Sequence, residues 1–111
     1  MSINDRITKD ITDNAVVLYM KGSPDFPMCG FSSAVCQVLK NMNVTFKGIN
    51  ILDDAELRQG IKDFSNWPTV PQLYVKGEFI GGCDIVREMF SSGELKKLFV
   101  DKGVPFQESA A

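Results

Sequence analysis

The chain has 111 residues, enough for one domain with a modest core. Hydrophobic residues make up 44% and charged residues 23%, an ordinary globular mix, and the net charge of -2 gives no electrostatic basis for binding nucleic acid or an anionic membrane. There is no histidine, which excludes Ser–His and Cys–His catalysis and any internal imidazole ligand for zinc, iron or haem.

No apolar run approaches the roughly 20 residues needed to cross a bilayer. The opening residues, Met1 to Arg6, lack the apolar stretch of a signal peptide, and Asp5, Asp10 and Asp13 argue against a transit sequence. The cysteines are Cys29, Cys36 and Cys83. An odd count without a secretory signal argues against a disulfide scaffold and for a reducing compartment. The expected location is the cytoplasm; a bacterial cytoplasm is favoured by the initiating Met1 over an organelle matrix.

In chain order, Ile3, Ile7 and Ile11 form the stripe of an amphipathic helix from Ser2 to Asp13, with Ser2 and Asp5 as a capping pair. Ala15 to Met20 is continuously apolar and β-branched, the pattern of a strand covered on both faces. A loop from Lys21 to Ser32 leads to a helix over Ser33 to Met42, with Ala34, Val35, Val38, Leu39 and Met42 inward. Cys36 rides on that helix as a packing or partly exposed residue with no expected function. Thr45 to Asn50 is a second strand, parallel to the first because a helix connects them. Asp53 or Asp54 caps a helix that turns Leu57, Ile61 and Phe64 to one face. Asn66 to Pro71 breaks it. Gln72 to Val75 and Glu78 to Gly81 form a hairpin around Lys76-Gly77. Asp84 is the expected N-cap of a helix with Ile85, Val86, Met89 and Phe90 inward. After Gly93, a last helix carries Leu95, Leu98 and Phe99 and ends near Gly103. Residues 104–111 are expected to be a loose tail, and 1–111 a single domain beginning with the helix of 1–14. A βαβ half followed by a hairpin and helix is the thioredoxin-like arrangement, an α/β fold with a four-stranded mixed sheet and helices on both faces.

The stretch Lys21-Gly-Ser-Pro-Asp-Phe-Pro-Met-Cys-Gly-Phe-Ser32 carries the chemistry. It sets Cys29 between a strand and a helix, at or just before the first helical turn, where free N–H groups favour a thiolate. Lys21 adds a cation nearby. Ser32 stands where a second cysteine would complete a Cys-x-x-Cys pair, so the site has one nucleophilic sulfur. A lone cysteine is as often packing as reactive, but two prolines and a glycine around it mark an exposed loop. Three further features are ambiguous taken singly. Arg58 and Lys62, four apart, read as solvated charge. Val70-Pro71 reads as a turn, and Gly81-Gly82-Cys83-Asp84 as a tight turn with a cap.

Together these motifs resemble the monothiol glutaredoxins of the Cys-Gly-Phe-Ser class. The matching residues are Lys21-Gly22, Cys29-Gly30-Phe31-Ser32, Asn66-Trp67-Pro68-Thr69-Val70-Pro71-Gln72 and Gly81-Gly82-Cys83-Asp84-Ile85, within a resemblance spanning about Ile7 to Leu98. Met28 and Cys36 are unusual choices for the class. The resemblance implies a glutathione site. A cis Pro71 would present the Val70 backbone to the cysteinyl unit of glutathione. Arg58, assisted by Lys62, would meet the glycyl carboxylate. The Cys83 and Asp84 N–H groups would take the γ-glutamyl carboxylate, the Asp84 side chain the ammonium, and Lys21 would lie beside both sulfurs.

The resemblance also implies a [2Fe-2S] cluster bridging a homodimer, ligated by Cys29 and one glutathione thiolate from each protomer. It implies a cluster carrier that serves apo iron–sulfur proteins and pairs with a BolA-like protein. Two other functions stay open: glutathione-dependent thiol–disulfide exchange (protein deglutathionylation), at which the class is generally poor, and a non-redox binding module acting through the apo surface.

Overall fold

A computed structural model describes residues 2–107. Its elements are α1 (Ile3–Asp13), β1 (Val16–Met20), α2 (Gly30–Asn41), β2 (Lys47–Asn50), α3 (Ala55–Ser65), β3 (Gln72–Val75), β4 (Glu78–Gly81), α4 (Cys83–Ser92) and α5 (Glu94–Lys102). The sheet runs β2-β1-β3-β4, with β1 parallel to β2 and antiparallel to β3, and β3 antiparallel to β4. This is the expected four-stranded mixed sheet of a thioredoxin-like fold.

The unbroken apolar run of β1 follows from its central place. All five residues are buried. Val16, Leu18 and Met20 join one core, with Val35 and Leu39 of α2, Val86 of α4, and Leu95 and Phe99 of α5. Val17 and Tyr19 join the opposite core, with Ile7 and Ile11 of α1 and Leu57 and Ile61 of α3. Successive strand residues face opposite sides, so each side needs its own apolar layer. The Lys76-Gly77 turn has φ of 51° and 81°, the left-handed pair that a two-residue hairpin with the native strand twist requires.

Helix starts follow local chemistry. The Ser2 hydroxyl accepts from Asp5 N–H at 3.1 Å, and the Asp54 carboxylate from Leu57 N–H at 3.0 Å. Several boundaries differ from expectation. α2 begins at Gly30 rather than Ser33, with Cys29 itself as N-cap, because the Pro27–Met28 limb runs straight into the helix without a separate polar cap. β2 begins at Lys47, not Thr45. The N-cap of α4 is Gly82, not Asp84, which lies inside the first turn. Phe64 and Phe90 are more than a third exposed; Phe64 lies tilted against the Tyr74 ring, centroids 6.3 Å apart, instead of entering the core. The described part of the tail is docked, not loose: Val104 is buried, its N–H donates to the Phe99 carbonyl at 2.8 Å, and Gln107 N–H donates to the Met42 carbonyl at 2.8 Å. The rest of that expected loose tail, 108–111, lies outside the described residues.

Candidate functional site: a single thiol at an uncapped helix start

The C-terminal ends of β1 and β3's preceding loop converge with the N-termini of α2 and α4. α1 and α3 carry side-chain caps, whereas α2 and α4 start on Cys29 and Gly82 with no side-chain hydrogen bond to their first-turn N–H groups. Uncapped N–H groups on a helix dipole are a ready anion site.

Cys29 uses the first of these. The Ser32 N–H holds its thiol below the ordinary thiol pKa against the opposing cost of burial, and the Phe31 N–H, the Lys21 charge and the Ser32 hydroxyl act the same way. Cys29 is half-buried, while Cys36 and Cys83 are buried, and all three are free thiols. Burial pushes the Cys36 thiol up, and its Sγ lies 3.7 Å from Met20 Sδ inside the core. Cys36 is the packing residue its helical position predicts.

Ser32 has a task that spacing alone did not reveal. It is fully buried, and its hydroxyl accepts from Lys21 N–H at 3.1 Å. The residue opposite the missing second thiol therefore ties the end of β1 to the start of α2. Lys21 is held on its other side too, where its carbonyl accepts from Met28 N–H at 2.9 Å.

Two adjoining cavities, each about 240 Å³, open beside the sulfur. One brings together Lys21, Cys29, Arg58, Lys62 and Val70. The other brings together Val70, Pro71, Gly82, Cys83 and Asp84. Phe31, Thr69 and Val70 border both, so the two form one groove with Cys29 in its first half and the α4 N-terminus in its second. Every site residue expected from the sequence lies on this groove. The Val70–Pro71 bond is cis, as the resemblance implies. The larger cavity of about 740 Å³ lies elsewhere, between the starts of β1 and β2 and the docked tail, and holds none of these residues.

Sequence reasoning did not single out Phe31, Thr69 and Trp67 as groove walls. Trp67 sits beside Gly82 with its indole N–H buried and unpaired among the described residues. The only signal was that all three fall inside recognised motifs. Cations gather at one half of the groove and first-turn amides at the other. Such a site suits an extended ligand with a carboxylate at each end and a thiol between.

Fold and site define a thiol protein of the thioredoxin-like class with one working sulfur. The family model described as glutaredoxin matches residues 16–80. The chain is 57% identical over 95 residues to a chloroplastic monothiol glutaredoxin of Arabidopsis thaliana, covering 86% of this chain and 55% of the relative. It is 54% identical to a probable monothiol glutaredoxin of Rickettsia conorii, covering 83% and 86% respectively. The chain thus spans about half of the plant relative and most of the bacterial one. Among solved structures, a reduced apo glutaredoxin from poplar superposes with a TM-score of 0.81 at 50% identity, covering 90% of this chain and 92% of that one. The chain belongs to the glutaredoxin family, and its relatives place it among the monothiol glutaredoxins. No helix among the described residues is long and apolar enough to cross a membrane.

Proposed function

We propose that this monothiol glutaredoxin binds glutathione in the groove and carries a [2Fe-2S] cluster between two protomers. The observation that carries the reading is a lone thiol: Cys29 is held toward thiolate at the rim, and its helical neighbour is a buried serine, Ser32, not a second cysteine. With no second thiol to resolve a disulfide internally, the sulfur is free to act as a ligand.

The donor set fits a shared cluster. Among the described residues no three Cys, Asp or Glu side chains gather to hold a metal. Two protomers, each giving Cys29 and one glutathione thiolate, supply the four thiolates of such a cluster. In this reading Arg58 and Lys62 take the glycyl carboxylate, the Val70 backbone pairs with the cysteinyl unit, and the Cys83 and Asp84 N–H groups take the γ-glutamyl carboxylate. Asp84 balances the ammonium. Lys21 stabilises the two neighbouring thiolates. The cluster is cargo, and two of its ligands are exchangeable small molecules, which suits transfer to apo iron–sulfur proteins with a BolA-like protein as partner. Three free thiols suit a reducing compartment such as the cytoplasm.

Anaerobic reconstitution with iron, sulfide and glutathione, followed by visible absorbance and sizing, tests this. A coloured dimer is expected for the wild type and for Cys36→Ser, and a colourless monomer for Cys29→Ser. Colour retained by Cys29→Ser removes the assignment.

A second reading has its own observation. The lowered Cys29 pKa equally suits attack on a glutathionylated protein, with Cys29 taking the glutathione and free glutathione then releasing it as its disulfide. Steady turnover on such a substrate, together with a failure to hold cluster, would favour it.

A further inference from the structure

The segment that delivers Cys29 to α2 is a closed hairpin. Gly22 and Pro27 form an antiparallel bridge, and Ser23 and Phe26 exchange N–H···O bonds of 3.2 and 3.1 Å. Its tip, Pro24-Asp25, lies on the edge strand β2. A Cβ built on Gly48 would collide with Pro24 Cγ and come within 2.7 Å of Pro24 Cδ. The proline ring is bonded to its own backbone nitrogen, so it cannot swing aside without moving the loop. A glycine inside a strand weakens it and often marks a close approach of another backbone, as here.

Two hydrogen bonds brace the same hairpin. Lys40 Nζ, from α2, donates to the Pro24 carbonyl at 2.7 Å, and Gly22 N–H donates to Asn50 Oδ1 of β2 at 3.0 Å. From the bridge the chain runs directly through Met28 to Cys29. Met28 N–H is bound to the Lys21 carbonyl, and Lys21 N–H to Ser32 Oγ. Movement of the hairpin is therefore movement of both Lys21 and Cys29.

We propose that the Gly48 socket, the Pro24 ring it accepts and the Lys40 strut form a seat that positions Cys29 and Lys21 for the chemistry of the groove. Gly48, Pro24 and Lys40 are positioning residues. They touch the loop, not the ligand. The charged groups sharing the sulfur's cavity are the cations Lys21, Arg58 and Lys62, and none of the three is substituted in the variants below. The inference rests on Cys29 being the working sulfur, but its test uses neither glutathione nor iron, so it fails independently of the cluster reading.

The measurement is the rate of iodoacetamide alkylation of Cys29 at one neutral pH, resolved by peptide mass spectrometry, with amide hydrogen exchange at Gly22 and Met28. Gly48→Ala is expected to displace the hairpin that carries Cys29, to slow its alkylation by about threefold or more, and to speed exchange at both amides. Adding Pro24→Ala removes the colliding ring atoms and is expected to restore both readouts, which a general weakening of β2 would not allow. Lys40→Met, an exposed change on α2, is expected to slow Cys29 in the same direction. A folded Gly48→Ala protein with an unchanged or faster Cys29 overturns the seat, and so does a pair that Pro24→Ala fails to restore. Should Gly48→Ala not fold, an unchanged rate in Lys40→Met overturns it.

Discussion

Cys29 and Ser32 stand three positions apart at the start of α2 and do different work. Cys29 gains from the first-turn N–H groups and from the Ser32 hydroxyl, which also accepts from Lys21 N–H. Because the folded thiol pKa is lowered, thiolate persists to lower pH than in the unfolded chain. Cys29 alkylation should therefore level off below the ordinary thiol range, and the plateau should move up in 8 M-class denaturant or in Lys21→Met; coincident folded and unfolded profiles would contradict the helix-start effect. Ser32→Cys should act twice. A thiol is a weak acceptor, so the Lys21 bond is lost at about 0.5–1.5 kcal/mol. A sulfur one turn from Cys29 can also close a disulfide with it. Turnover on mixed disulfides should rise and cluster lifetime in air should fall. If both stay at wild-type values, the single thiol does not explain the carrier role. Arg58 lines the cavity of Cys29 and faces the proposed glycyl carboxylate. Arg58→Ala should weaken glutathione by roughly 1.5–3 kcal/mol, about ten- to hundredfold in Kd, read by calorimetry.

At the scale of elements, β1 was legible because its environment is uniform: both faces are covered, so every residue is apolar. That uniformity has one flaw. Tyr19 is fully buried, and its hydroxyl has no partner among the described residues. Burial, then the Asp10 charge, pushes its pKa far up, and burial pushes the neighbouring Tyr74 up to about 12. Raised folded values mean that the unfolded chain loses these protons first. Stability is thus full below pH 10 and is lost as pH rises from there through the folded values. Tyr19→Phe should stabilise the fold by about 1 kcal/mol or more by removing an unpaired polar atom, and should flatten the alkaline loss. A lower Tm in Tyr19→Phe would show that the hydroxyl is satisfied after all. Helix ends were less legible than strands. The α2 and α4 starts depend on which residue leaves extended backbone, and the most polar residue nearby, Asp84, misled because the turn is made by Gly82. The docking of Val104 and Gln107 depends on Phe99 and Met42, which no local pattern connects to them.

Across the whole molecule, the groove was legible because its parts sit in separate short motifs whose order the fold preserves. The contacts that hold the Cys29 loop were not, since Gly48, Lys40 and Asn50 look like ordinary strand and helix residues until Pro24 and Gly22 are laid against them. The same loop leaves an apolar rim around the sulfur: Phe26, Met28 and Phe31 are 79%, 71% and 62% exposed. In the proposed dimer, a meeting of two copies over the cluster would bring the two rims together, and any area buried would be counted twice. Fully burying one such side chain contributes about 1.5–3 kcal/mol, and even a fraction of that from each copy is comparable with the stability of a small interface. In the monomer these side chains touch water and contribute almost nothing, since exposed substitutions change stability by about 0.5 kcal/mol or less. Phe26→Ser with Met28→Ser should therefore change the apo Tm little. The reconstituted protein should still colour, because its ligands are intact. On dilution, however, its dimer should dissociate and bleach at several-fold higher protein concentration than the wild type, followed by sizing and visible absorbance together. Equal dilution behaviour would mean that the cluster alone holds the two copies and that the rim serves some other partner.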